Sequence, residues 1–107
     1  MKLDSLGFET QPAQILAEAF QNYGAYLVDD AAWDVYAIIT EWSPTGRFDD
    51  DFKKNWGFSM KSNSKNTAWA RDMDRIFLNL HVVDNNTATT TGGGGKTLMP
   101  LAPPFKK

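Results

Sequence analysis

Apolar residues recur at helical spacing in three stretches of the chain, and each stretch is bounded by residues that begin or end helices. The first stretch follows Thr10 and Pro12 and stops at Gly24, so we predict a helix over 11–23. Its apolar positions fall on one face: Ile15, Leu16, Ala19, Phe20 and Tyr23. We expect this face to pack against the core of the protein.

The second stretch has three aromatic residues at intervals of one helical turn. Phe48, Phe52 and Trp56 predict a short helix over 48–55 that stops at Gly57. Aspartates fill its first turn and lysines follow near its end, which is the favourable arrangement for the helix dipole.

The third stretch begins at Thr67, whose hydroxyl is placed to cap a helix over 68–79. The apolar stripe of this helix consists of Trp69, Met73, Ile76, Phe77 and Leu80. Its charged residues are predicted on the outer face, namely Arg71, Asp72, Asp74 and Arg75. Asp72 and Arg75 are three residues apart, so we expect them to interact.

Alternating or apolar runs predict short strands over 25–28, 33–41 and 81–83. The first two would form an antiparallel hairpin across 29–32, although that loop has no strong turn signal. A two-stranded ribbon is marginal in water, so the helices must complete it. The sequence therefore predicts an α+β fold over 1–86, with about three helices packed on a short antiparallel sheet, and a separate turn over Ser43–Gly46.

The remaining residues, 87–107, change from polar and glycine-rich to apolar and proline-rich. Neither part suits a helix interior, where Gly costs about 1 kcal/mol and Pro about 3 kcal/mol relative to Ala. Its large apolar residues would lose free energy in water: Leu98, Met99, Leu101 and Phe105. We therefore predict a linker followed by an extended C-terminal arm (98–105) that binds the domain itself or a protein partner.

The glycine run also resembles a phosphate-binding loop, but the match fails. That motif needs a glycine five positions before its Gly-Lys pair, where this chain has Thr90. It also needs a following helix, which Pro100 and the pair Pro103-Pro104 prevent. We therefore expect no nucleotide, and no other cofactor, to bind here.

Composition narrows the class of partner. The 107 residues suffice for one domain, and a net charge of −2 without a basic stripe argues against nucleic acid. No stretch approaches the roughly 18 consecutive apolar residues of a membrane span. The first residues lack an apolar signal core, so nothing in the chain directs secretion. With no cysteine, thiolate chemistry and disulfides are excluded.

Carboxylates near the predicted hairpin are the candidate chemical groups. Asp29 and Asp34 offer oxygen atoms to a ligand or a hard cation, but no calcium-loop spacing is present, and Asp is a favoured turn residue. With Glu41 they also supply the paired acids that glycoside hydrolysis requires, if two of them converge. His81 has no accompanying nucleophile motif, so we predict no metal site and no catalytic residue.

The tryptophans suggest an alternative to carboxylate chemistry, namely a non-catalytic binding surface. Trp33 and Trp69 lie on apolar faces and are predicted in the core. Trp42 ends a strand before a turn, and Trp56 ends a helix before Gly57, so both are candidates for exposed rings. Exposed tryptophan rings suit stacking on sugars or contact with proteins.

One stretch resembles a known group of proteins. Residues 12–40 combine a helix ending in Tyr23-Gly24, an apolar strand, the acidic pair Asp29-Asp30 and a strand that begins at Trp33. This pattern is similar to the C-terminal region of larger, poorly characterised bacterial proteins that are generally thought to be exported. The resemblance implies a piece of a larger β-rich, extracellular protein, and it carries over no catalytic residue.

The leading hypothesis is a non-catalytic accessory or interaction module, directed to carbohydrate through Trp42 and Trp56 with Asp29 and Asp34. The first alternative is a structural subunit that assembles with other copies through its C-terminal arm. The second alternative is a small carboxylate-based glycoside hydrolase. The candidate partners are thus a protein, a parent chain or a glycan, and neither nucleic acid nor a membrane.

Overall fold

The computed structural model describes residues 2–63, 66–96, 98–100, 102–104 and 106. Its regular elements are helices α1 (Gln11–Tyr23), α2 (Phe48–Trp56) and α3 (Ala68–Phe77), and the antiparallel strands β1 (Trp42–Ser43) and β2 (Gly46–Arg47). Short 3-10 turns occupy Leu3–Leu6 and Thr91–Gly93. The fold is α+β, as the sequence predicts.

The helix predictions are confirmed because local residues fix the ends. Helix α1 has the predicted bounds and ends at Gly24 with φ 78°. Helix α2 runs one residue further than predicted, to Trp56, and Gly57 ends it in the left-handed region. At the start of α3, the Thr67 hydroxyl accepts a 3.1 Å hydrogen bond from the backbone N–H of Ala70. Helix α3 ends two residues earlier than predicted.

The predicted strands before β1 are wrong. Residues 25–41 contain no strand, and Leu27 is 95% exposed. A strand persists only with a hydrogen-bonded partner, and the 29–32 loop has no turn sequence that would align one. Tyr36, from the second predicted strand, instead stacks on Phe77 with ring centroids 4.4 Å apart. The predicted strand over 81–83 is also absent, and Val82 lies exposed.

The sheet forms instead at the predicted turn over 43–46. Trp42 pairs with Arg47 across a two-residue connection, and the Ser43 hydroxyl donates to the Gly46 carbonyl over 3.1 Å. The Arg47 guanidinium lies 5.3 Å from the Trp42 ring centroid and also binds both Asp49 carboxylate oxygens at 2.9 and 3.0 Å. The hairpin is therefore attached to the first turn of α2.

The core lies between the three helices. Its buried cluster consists of Ala13, Ala17, Phe52, Trp69, Met73 and Ile76. Ala13 and Ala17 are one turn apart, and their small side chains let α1 approach α3 closely. The predicted apolar face of α1 is correspondingly rotated, because Ile15 and Tyr23 are exposed. Trp69 is a core residue as predicted.

Trp33 is not a core residue, which contradicts the prediction. Its ring is largely exposed, because the strand that would have turned it inward does not form.

The glycine-rich segment is a hydrogen-bonded loop in its first part, where the Gly92 N–H donates to the Asn86 side chain over 2.7 Å. Gly93 has φ 91°, a backbone conformation that residues with a Cβ rarely adopt, so this position favours glycine.

Asp72 joins α3 to the start of α1. The prediction that it lies on an outer face is wrong, because its side chain is fully buried. Its carboxylate accepts hydrogen bonds from the N–H groups of Glu9 and Thr10 and from the Thr10 hydroxyl, at 2.7 to 3.2 Å. Asp72 therefore anchors Thr10 and Glu9, the residues just before α1, and the Thr10 side chain makes no capping hydrogen bond to the first turn of the helix. The predicted Asp72–Arg75 contact is confirmed at 2.7 Å.

A second carboxylate completes this cluster. Arg71 binds Glu9 Oε1 at 2.7 Å, and Arg75 binds Glu9 Oε2 at 2.7 Å as well as Asp72. The hydrogen bonds from Arg71 and Arg75 lower the pKa of Glu9 from 4.5 to about 2. Arg71 and Arg75 therefore hold the residues just before α1 against α3.

We expect this cluster to make stability depend on acid pH. The folded-state pKa of Glu9 is lowered, so its contribution is complete above pH 4.5, the pKa of an unpaired glutamate, and is lost as the pH falls towards 2. Urea unfolding between pH 7 and pH 2 should therefore show a loss of stability that Glu9→Gln reduces. An identical pH dependence in the two proteins would contradict this assignment.

Candidate functional site

An apolar groove of about 430 Å³ lies between α1, residues 38–41 and α2. Helix α1 contributes Pro12, Ile15, Leu16 and Ala19; the connecting segment contributes Ile38, Ile39, Thr40 and Glu41; α2 contributes Phe48, Phe52 and Trp56; and Met60 and Trp69 complete the lining. Only Thr40 and Glu41 in this lining are polar. The volume lies within the range of ligand sites in proteins.

The two helices line this groove because each carries apolar residues beyond those that the core covers. On α2, residues four apart share one face, so buried Phe52 has Phe48 and Trp56 as exposed neighbours along the same stripe. On α1, Ala13 and Ala17 face α3, which leaves Ile15 and Ala19 for the groove. One apolar surface therefore serves both the core and the groove.

The base of the groove is held by Trp69. This side chain is 2% exposed, and its indole N–H donates to the Met60 carbonyl over 2.8 Å. Its ring lies 5.0 Å from that of Phe52 and 6.1 Å from that of Phe58, measured between centroids. Trp69 thus fixes α3, α2 and the segment after α2 relative to one another.

The walls of the groove remain open to solvent. Ile39 is 78% exposed, and Ile15, Phe48 and Trp56 are also exposed. Single exposed apolar residues are ordinary on protein surfaces, but a contiguous group of them marks an interaction site. The groove is therefore the strongest candidate site among the described residues.

The structure separates the two tryptophans predicted to bind ligand. Trp56 lines the groove. Trp42 is 80% exposed, as predicted, but it lies on the hairpin outside the groove lining, and Arg47 lies over its ring. The structure therefore places only Trp56 on a surface that many other apolar residues share.

The predicted carboxylate site does not assemble around a cavity. Asp29 and Asp34 are exposed and line neither the groove nor the smaller cavity beside the start of α3. Asp29 accepts a hydrogen bond from the next backbone N–H, that of Asp30, which is ordinary turn geometry. Glu41 lies at the groove without either aspartate. Within the part of the chain that the structure describes, no three acidic or histidine side chains gather as a metal site.

The described residues of the C-terminal arm do not pack on the core. Leu98 is 72% exposed, Met99 is exposed, and neither belongs to the core cluster or its neighbours. The other two predicted contact residues, Leu101 and Phe105, lie outside the described residues. Binding of the arm to a partner stays a prediction.

Sequence reasoning missed Ile15, Ile39 and Phe48 as site residues. Ile15 belongs to the helix face that the sequence predicts in the core, and Phe48 was used only to predict the second helix. Ile38 and Ile39 are adjacent, which in a strand would place them on opposite faces. The sequence did contain one usable signal for these residues. Its three short helices carry more apolar residues than they can bury against one another, so some of these residues must stay exposed.

Comparisons of the chain with family models, with curated proteins and with solved structures give no match. The resemblance to exported bacterial proteins therefore stays a prediction. None of the helices in the described residues has the length and apolar character needed to cross a membrane. Inference about this site therefore depends on its own residues.

Proposed function

We propose that this chain is a non-catalytic interaction module whose apolar groove binds an extended apolar segment of a protein. The observation that carries the proposal is the groove itself, whose walls at Ile15, Ile39, Phe48 and Trp56 are exposed although they are apolar. Burial of such side chains against a partner removes apolar surface from water, which is favourable by roughly 25 cal/mol per Å² before the costs of association are subtracted.

The lining of the groove favours a peptide over a sugar. Carbohydrate sites combine an aromatic platform with several polar groups that bind hydroxyls, and this groove has polar side chains only at Thr40 and Glu41. Aromatic walls at Phe48 and Trp56 are instead typical of grooves that bind extended apolar or proline-rich peptides. Sugar binding through Trp42 is the competing outcome of the test.

The test is selection of ligands for the intact protein from a library of short random peptides and from a glycan array. We expect apolar peptides to be selected, and Ile39→Gln to weaken their binding by about tenfold or more, equivalent to about 1.4 kcal/mol. Ile39 is exposed, so this substitution should leave folding nearly unchanged.

Leu27→Gln is the matched control, because it replaces an aliphatic side chain of equal size by glutamine at an exposed residue outside the groove. It should leave peptide binding unchanged. Binding of glycans that is lost in Trp42→Ala and kept in Ile39→Gln would reject the peptide groove in favour of sugar binding. Selection of no ligand from either collection would reject the proposal as well.

A further inference from the structure

The chain itself carries a segment with the chemistry that the groove would bind. The C-terminal arm has Leu98, Met99 and Pro100 in sequence, and its described residues are exposed. Prolines hold such a segment extended, so little conformational entropy is lost when it binds. Two unpartnered apolar surfaces therefore occur on one chain.

The dimensions of the two surfaces agree. Helix α2 rises about 12 Å between Phe48 and Trp56 at 1.5 Å per residue. Five residues in the polyproline conformation also span about 12 Å from first to last, at about 3.1 Å per residue. A segment such as 98–102 is therefore long enough to lie along the α2 wall with its apolar side chains towards Phe48 and Trp56.

The charges beside the two surfaces are complementary at one end of the groove. Helix α2 begins at Phe48, and Asp49, Asp50 and Asp51 occupy its first turn. Glu41 adds a carboxylate to the lining on that side, and the Phe48 N–H donates to the Glu41 carbonyl over 3.0 Å. The opposite end of α2 carries Lys53 and Lys54.

The C-terminal arm is flanked by cations. Lys96 lies two positions before Leu98, and Lys106 and Lys107 follow Phe105. An arm that lies with one lysine end at the acidic start of α2 gains electrostatic attraction that salt will weaken. The groove thus fits this arm in length and apolar character, and its acidic end matches one of the two lysine ends of the arm.

We propose that the groove binds the C-terminal arm of a second copy of this chain, and that two copies exchange arms in a closed dimer. This inference rests on the proposed function, because it names the segment that the groove binds. Leu98 is exposed although its own groove is open, which favours binding between copies over binding within one chain. Reciprocal exchange fills both grooves and leaves no open end to polymerise.

Sedimentation velocity on the full-length chain tests the exchange. The wild-type protein should sediment with the mass of two copies. Ile39→Gln in the groove and the double change Leu98→Gln with Met99→Gln in the arm should each weaken self-association by about tenfold or more. Leu27→Gln and Val82→Gln, at exposed residues outside both surfaces, should behave like the wild type.

A second test mixes the groove variant, Ile39→Gln, with the arm variant, Leu98→Gln with Met99→Gln. This test does not depend on comparing separate preparations. A mixed pair keeps one intact arm and one intact groove, so the mixture should contain dimers under conditions in which neither variant alone does. Binding of each arm within its own chain predicts no such recovery and would overturn the exchange.

Failure of this inference is distinguishable from failure of the proposed function. If the wild-type chain is monomeric while selected peptides still bind in a manner that requires Ile39, the arm is rejected as the occupant and the groove remains a site. If Ile39→Gln changes neither peptide binding nor self-association, both proposals are rejected.

Discussion

Asp72→Ala is expected to cause the largest loss of stability of any single charge removal, about 3 to 5 kcal/mol. Asp72 is fully buried, and it accepts hydrogen bonds from two backbone N–H groups, the Thr10 hydroxyl and Arg75. Alanine would leave the two N–H groups and the Thr10 hydroxyl without this acceptor at the start of α1, whereas Arg75 would keep Glu9. A domain of this length has only about 5 to 15 kcal/mol of stability in total.

Urea unfolding at pH 7, followed by circular dichroism, measures this loss. Asp72→Asn should lose less stability than Asp72→Ala, because the amide side chain keeps the shape of the carboxylate and one acceptor oxygen. Asp51→Ala is the control, since Asp51 is exposed in the first turn of α2 and interacts there chiefly with the helix dipole, worth less than about 1 kcal/mol. Equal losses in Asp72→Ala and Asp51→Ala would contradict the role assigned to Asp72.

Trp69→Ala should lower the free energy of unfolding by a similar amount, about 3 to 5 kcal/mol. Its indole contacts Phe52 and Phe58 in the core and donates to the Met60 carbonyl. Alanine would open a cavity directly beneath the groove, so the same change should also weaken peptide binding in protein that remains folded.

Two further substitutions show how much of the stability lost in Trp69→Ala comes from the hydrogen bond to Met60 and from burial of the ring. Trp69→Phe keeps an aromatic ring but removes the hydrogen bond to Met60. Its loss of unfolding free energy should therefore lie between zero and the loss caused by Trp69→Ala. Trp42→Ala removes an exposed ring whose main contact is Arg47, and it should cost below about 1 kcal/mol. If Trp42→Ala proved as destabilising as Trp69→Ala, the description of the core would be wrong.

The helices could be predicted from the sequence because their ends depend on neighbouring residues. Pro12 and Gly24 bracket α1, Gly57 ends α2, and Thr67 caps α3 with its own hydroxyl. Each of these effects acts within about one turn of helix, so a single sequence contains all of the necessary information.

The strands could not be predicted in this way. An alternating pattern such as that over 33–41 indicates a preference for extended structure, but the pairing that makes a strand depends on a partner elsewhere in the chain. Here the helices take up Tyr36 and Ile38, and the sheet forms where Ser43 and Gly46 close a turn. Turn chemistry was therefore the better guide to the position of the sheet.

The role of Asp72 was likewise beyond the sequence. Its position among charged residues on α3 indicated an outer face, whereas the backbone N–H groups that it binds, those of Glu9 and Thr10, lie more than sixty residues earlier in the chain. Only part of the candidate site could be predicted from the sequence. Trp56 was identified as a binding residue, but Ile15 and Ile39 belong to the groove only because the tertiary fold places α1 beside residues 38–41 and α2.

The central claim is that the groove, and not the Trp42 hairpin, binds extended apolar segments. Fluorine NMR on protein labelled with 5-fluorotryptophan tests it directly, because the four tryptophans give separate signals and include one in the groove wall and one on the hairpin. Addition of a synthetic peptide of residues 96–107 should shift the Trp56 signal in a saturable manner and leave Trp42 unchanged. A Trp42 shift with an unchanged Trp56 would contradict the claim.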